Sequence, residues 1–167
     1  MPDICDLILD DHETMRRRFA ELDEQRQRDS GAVQRVWEHL GELLDLHASA
    51  EETVFYPALL ARGDRAKEET LDAIKDHNLI RDAVEAASAA APDSAEWWQA
   101  VGEAREQNSD HMGEEERGAL ADFRTHADQE LREQLGAEFV SYKAEHAGGR
   151  LHPSDKDPEG YVAAEQP

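Results

Sequence analysis

Cysteine occurs once in the 167 residues, at Cys5. No disulfide can form within the chain, and no cysteine-based zinc or iron–sulfur site is available. Positive charge is also scarce: 18 lysines and arginines stand against 39 aspartates and glutamates, a formal net charge of −21. Nucleic-acid binding calls for a basic patch that neutralises phosphates and releases counterions, and an anionic membrane surface calls for the same. Neither nucleic acid nor membrane is therefore expected as a partner, and no feature names a protein partner. Cations suit such a surface better. No apolar run approaches the ~18 residues of a membrane-spanning helix. The opening MPDICDLILDDHE lacks the positive first region and long apolar run of a secretory signal, so a cytoplasmic setting is expected. Strand-like alternation of β-branched residues is absent, and no Ser-His-Asp arrangement offers a nucleophile.

What remains is helix-forming sequence, and the expected fold is all-α. A first helix is predicted from about Asp3 to about Asp29, with Cys5, Ile8, His12, Met15, Phe19 and Leu22 on one face. After a break at 29–31, a second helix carries Val36, Leu40, Leu43, His47, Glu51, Val54 and Phe55. Pro57 should kink it near Tyr56 or end it there, with a short helix following through Leu60. A third helix spans roughly Arg65 to Ala90. A fourth starts after Ser94 and continues through His111 and Glu115 to about Phe123. Short connections predict an antiparallel up-down-up-down four-helix bundle. An additional helix is expected over 128–146, and the Pro-, Gly- and charge-rich residues 148–167 are expected to form a flexible acidic tail. The bundle with its extra helix would occupy 1–147.

Of eight histidines, four fall mid-helix on the apolar stripes, one per long helix: His12, His47, His77 and His111. The first and third helices read DHETMR and DHNLIR. The second and fourth read HASAEE and HMGEEE, each a His-x-x-x-Glu pair. His12 to His47 is 35 residues and His77 to His111 is 34, so one helix hairpin is used twice. An i, i+4 pair on a helix differs by about 40° and one turn, which aims His47 with Glu51, and His111 with Glu115, in one direction. Bundling brings four imidazoles and two carboxylates to one level. Ionised carboxylates buried without partners cost several kcal/mol each, and metal cations remove that cost. Mixed nitrogen and oxygen donors suit iron, and also manganese or zinc. Ferritin-like di-iron sites require Glu-x-x-His, and no histidine here has a glutamate three residues before it. His39, His126, His146 and His152 lie away from the predicted level. Asp11, Asp76 and Asp110 each precede a ligand histidine and are candidates to orient imidazoles.

The order His12, His47-x-x-x-Glu51, His77, His111-x-x-x-Glu115 resembles the hemerythrin-like family, the HHE cation-binding domain, over about residues 5–125, and within it the actinobacterial four-His, two-Glu branch. The resemblance implies a bundle holding two iron ions in an oxo- or hydroxo-bridged di-iron centre. Glu51 and Glu115 would bridge, and the four histidines would be terminal ligands. Two departures stand out. Oxygen-carrying hemerythrins have a fifth histidine one turn before that of the third helix, where this chain has Ala73. They also use His-x-x-x-x-Asp on the last helix, where this chain has Glu116. An extra open position at iron then follows unless Glu52, Glu116 or Tyr56 fills it, and on a straight helix Tyr56 lies about 180° from His47. The expected function is reaction with small oxidants (hydrogen peroxide, nitric oxide or oxygen), as a catalase-like or peroxidase oxidoreductase. The alternative is oxygen or iron binding, or sensing, without turnover.

Overall fold

The computed structural model describes residues 2–26, 30–151 and 153–166. Its elements are α1 (Ile4–Gln25), α2 (Ser30–Ala50), a π-helical turn (Glu51–Phe55), α3 (Tyr56–Arg62), α4 (Ala66–Ala89), α5 (Ala95–Arg117), α6 (Ala119–His126), α7 (Gln129–His146) and α8 (Pro158–Glu165). The architecture is all-helical, as expected. α1 pairs with α2, α4 pairs with α5, and α7 lies across α1 and α2. The ends are set by local chemistry. Asp3 accepts from the Cys5 N–H, Ser94 from Trp97 and Asp128 from Leu131, each satisfying a donor that the first helical turn leaves free. The expected end of the first helix and the break after it fall on 27–29, outside the described residues, as does His152; Ser30 and Gly31 already belong to α2.

The buried apolar residues form two clusters. One gathers Ile4, Ile8, Phe55, Leu59, Ile74, Phe123 and Phe139. The other gathers Met15, Phe19, Leu22, Trp37, Leu40, Ile80, Trp97 and Met112. On α1, α2 and α4 the candidate histidine lies between them: His12 between Ile8 and Met15, His47 between Leu44 and Ala50, His77 between Ile74 and Ile80. The bundle is thus two apolar ends enclosing one polar layer.

Three elements differ from the sequence expectation. The short helix expected around Pro57 is present as α3, but the chain reaches it from α2 through a π turn that the sequence did not suggest. Pro57 withholds the N–H that an α-helix would supply to the Thr53 carbonyl, and the chain widens into the π turn just before it, with the Tyr56 N–H donating to the Glu51 carbonyl. The fourth helix does not run on to Phe123 but breaks at Gly118, where a Cβ would lie 2.3 Å from a Glu69 carboxylate oxygen. The C-terminal residues are not simply an extended tail: Asp157 caps α8 at the Gly160 N–H, Pro158 opens it, and Tyr161 and Val162 are buried. Two buried apolar side chains and a formed cap outweigh the polar composition on which that expectation rested.

Helix α7 approaches the N-terminus closely enough to exclude a side chain. A Cβ at Gly136 would meet the Pro2 carbonyl oxygen at 2.0 Å, whereas one at Gly102 meets nothing within 4 Å. Gly136→Ala is therefore expected to destabilise the fold by about 1–3 kcal/mol through overpacking. Gly102→Ala, on the exposed face of α5, should stabilise it by about 0.5–1 kcal/mol. Denaturant midpoints of the two variants read the opposite signs directly; equal effects would contradict the packing of α7.

Candidate metal centre

All six sequence-predicted residues meet in the polar layer, and all are buried: His12, His47, Glu51, His77, His111 and Glu115 are each at most 3% exposed. Glu51 lies at the middle. Its Oε1 is 2.9 Å from His47 Nε2, and its Oε2 is 3.3 Å from His77 Nε2 and 3.9 Å from His111 Nε2. His77 and His111 face each other through their Nε2 atoms at 3.1 Å. On the other side, His12 Nε2 lies 3.3 Å from Glu115 Oε2. Two clusters of donor atoms result, His12–His47–Glu51–Glu115 and Glu51–His77–His111, with donors within 4.8 Å of one another in each and Glu51 common to both.

The donor set fits cations better than it fits itself. His12 Nε2, His47 Nε2, both oxygens of Glu51 and Oε2 of Glu115 are buried without a hydrogen-bond partner. Such atoms cost about 1–3 kcal/mol each when left unsatisfied, more when charged. The 3.1 Å approach of two Nε2 atoms matches what two donors at right angles around one metal require, about 3 Å for bonds of about 2.1 Å.

Every imidazole is aimed from behind. His12 Nδ1 contacts Glu116 at 3.0 Å, His47 Nδ1 contacts Asp11 at 2.9 Å, His77 Nδ1 contacts Glu52 at 2.8 Å, and His111 Nδ1 lies 3.5 Å from Asp76. A carboxylate only accepts, so the proton sits on Nδ1 and Nε2 turns to the layer. The pairing runs round the bundle. Each aspartate of the DH pairs serves the histidine of the next helix, and the second glutamate of each doublet serves the DH histidine of the other hairpin. Asp110, the third candidate, is exposed and takes no part. Cations stand behind this ring: Arg16 binds Glu116 at 2.6 Å, Arg81 binds Glu52 at 2.5 Å, Lys143 binds Asp11, and Lys156 binds Glu52.

Sequence reasoning placed Tyr56 on the far side of the helix. The π turn corrects that, because an i→i+5 turn rotates the chain less per residue than an α-helix. Tyr56 is buried, and its hydroxyl donates to Glu115 Oε1 at 2.6 Å. Tyr56, named from the sequence as a possible further ligand, thus faces the layer after all, and Pro57, the residue after it, was the signal for the change of direction. His39 and His126 are surface residues bonded to their own helices, and His146 stacks on Tyr142.

The protonation pattern follows from the same contacts. Burial would raise the Glu51 carboxyl, but the charge of His47 and the imidazoles of His111 and His77 turned toward it hold it well below the usual range. Burial would lower His47 and His111, yet Glu51 and Asp11 push the first up to about 9, and Asp76, Glu51 and Glu115 push the second up to about 10. Glu52, despite burial, is held at about 2 by His77, Arg81 and Lys156. Burial and the Glu115 charge push Tyr56 well above its ordinary value. Without metal, protons on His47 and His111 do the work of cations.

The family model of the hemerythrin HHE cation binding domain matches residues 3–123. The chain belongs to this family. It is also 28% identical over 144 residues, 84% of its length, to a DNA nickase of Nostoc sp. (strain PCC 7120 / SAG 25.82 / UTEX 2576). That match covers 39% of the nickase, so the chain spans about two fifths of the relative. No solved structure matches the chain. Among the described residues no helix is long and apolar enough to cross a membrane. With its buried His/Glu clusters, this HHE chain is a cation-binding protein.

Cation binding must displace the protons on His47 and His111, since a coordinating imidazole is neutral at the ligating nitrogen. Loading at pH 7 is therefore expected to release about two protons per chain, and affinity should rise with pH up to the region of 9 to 10. Calorimetric titration in buffers of different ionisation enthalpy measures the number. Loading without proton release would contradict the assigned protonation.

Proposed function

We propose that this chain holds two iron ions and reacts with small oxidants, hydrogen peroxide or nitric oxide foremost. His12, His47 and Glu115 would serve one ion, His77 and His111 the other, and Glu51 both. The observation that carries this reading is the central carboxylate: Oε1 of Glu51 faces His47, Oε2 faces His77 and His111, and Glu51 is common to both donor clusters. One carboxylate shared by two donor sets calls for two cations, and imidazole with carboxylate suits iron.

Bound iron would supply Lewis acidity and redox cycling. The chain's own residues supply positioning, dryness and access. The two apolar clusters exclude bulk water from the layer. The Glu51–His77–His111 set offers one residue fewer than its neighbour. A cavity of about 30 Å³ lined by Tyr56, Ala73, Asp76, His111 and Glu115 opens beside it. That volume takes a molecule of roughly the size of water or peroxide. Ala73, standing where oxygen carriers have a histidine, keeps this space free. The acidic rim of Glu69, Asp72 and Glu114 passes neutral molecules and repels anions.

The as-purified protein from iron-rich medium is expected to contain about two iron atoms per chain by elemental analysis, with near-ultraviolet absorption absent from the metal-free form. Iron at 100 times its Kd would stabilise the fold by about 2.7 kcal/mol. Glu51→Ala or His111→Ala should abolish most of that thermal shift, and His126→Ala should leave it intact. A fully folded wild type that takes up no metal contradicts the proposal.

Turnover is tested separately. The iron-loaded protein should evolve oxygen from hydrogen peroxide, and Ala73→His, which fills the cavity, should slow it at least ten-fold. Wild-type protein that leaves peroxide intact but binds oxygen reversibly would support the storage or sensing reading instead.

A further inference from the structure

The repeated hairpin gives the two outer glutamates the same partners. Glu116 takes His12 Nδ1 and Arg16, both from α1. Glu52 takes His77 Nδ1 and Arg81, both from α4. Their surroundings differ. The Glu116 side chain is 29% exposed, whereas that of Glu52 is 1% exposed. The difference comes from the C-terminal segment, which lies outside the residues matched by the family model. The Lys156 ammonium binds the second oxygen of Glu52. The Tyr161 hydroxyl donates to the Glu52 backbone carbonyl at 2.5 Å. The segment is anchored in register by a two-way bond with Asn78: the amide donates to the Lys156 carbonyl at 2.8 Å, and the Lys156 N–H donates to the amide oxygen at 3.1 Å. Asn78 is the residue after His77.

We infer that the C-terminal segment is a working part of the metal centre, with Lys156 and Tyr161 as positioning residues that clamp Glu52 and thereby fix His77. The chain of causes is short. A buried carboxylate keeps one orientation only when donors hold both of its oxygens. Arg81 and Lys156 supply those donors, one on each oxygen. Held in place, Glu52 accepts from His77 Nδ1 and so turns Nε2 to the layer. Remove Lys156 and one oxygen of a nearly inaccessible anion loses its partner. The carboxylate is then free to turn toward water, and its hold on His77 weakens. Half of the site is thus governed by residues beyond the bundle, while the other half is governed by Glu116 within it. This rests on the cation-binding role of His77 proposed above.

The test uses the full-length chain with Lys156→Met and Lys156→Arg. Lys156 is partly exposed, so neither change disturbs packing, and thermal melting of the metal-free proteins checks that. Two quantities are measured. In metal-free protein, nitrogen-15 histidine spectra follow exchange of the His77 Nδ1 proton with solvent. In iron-loaded protein, loss of iron to a chelator is timed together with the visible spectrum. Lys156→Met should speed His77 proton exchange toward that of His12, shift the spectrum and release iron about ten-fold faster, the lower range for a partner behind a ligand. Lys156→Arg should restore all three. If Lys156→Met matches wild type in proton exchange and iron release, the inference is overturned. If wild type holds no iron, the metal reading fails on its own, while the metal-free exchange rates still decide whether Lys156 controls His77.

Discussion

An ionised carboxylate at the centre of a helical bundle has to be compensated, and the organisation of this chain depends on how that is done. Glu51 is fully buried, and neither of its oxygens has a hydrogen-bond partner. Burial of such a group costs several kcal/mol unless positive charge is held against it. The chain answers with four imidazoles around the carboxylates, each aimed by a further carboxylate, and with arginines and lysines behind Asp11, Glu52 and Glu116. Charge alternates outward from the layer: anion, imidazole, anion, cation. The two apolar clusters are what make this necessary, because they keep water from doing the same work.

The alternation also accounts for the duplicated motifs. In DHETMR and DHNLIR, the histidine and the arginine four residues on grip one glutamate between them: His12 and Arg16 hold Glu116, and His77 and Arg81 hold Glu52. The aspartate of each motif turns to the partner helix of its own hairpin, Asp11 to His47 and Asp76 to His111. In HASAEE the first glutamate enters the layer and the second faces the neighbouring hairpin. The same holds for Glu115 and Glu116. Doublets that look like the surplus of an acidic sequence are one inner and one outer carboxylate, about 100° apart on the helix.

Much of this was legible in the sequence, and the limits are physical. The fold class and the six residues of the layer follow from periodicity within single helices, where i, i+4 spacing fixes direction. The outer ring depends on contacts between helices, so Glu52 and Glu116 were read only as possible further ligands and Arg16 and Arg81 only as part of a repeated motif, and of three aspartates flagged beside histidines only Asp11 and Asp76 point inward. Tyr56 was placed facing away because its phase was reckoned on a straight helix, whereas the π turn before Pro57 brings it onto Glu115. The break at Gly118 was masked by helix formers on both sides. Lys156 and Tyr161 lie in a segment whose composition reads as solvated, although DPEG followed by YVAA holds a cap, an opening proline and an apolar pair.

The central claim is that Glu51 joins two cation sites. Crystals of the iron-loaded protein, measured on either side of the iron absorption edge, test it most directly. The account predicts two anomalous peaks per chain, roughly 3–4 Å apart as in other two-metal sites, one on each oxygen of Glu51. A single peak, or two peaks with Glu51 bound to neither, would contradict it.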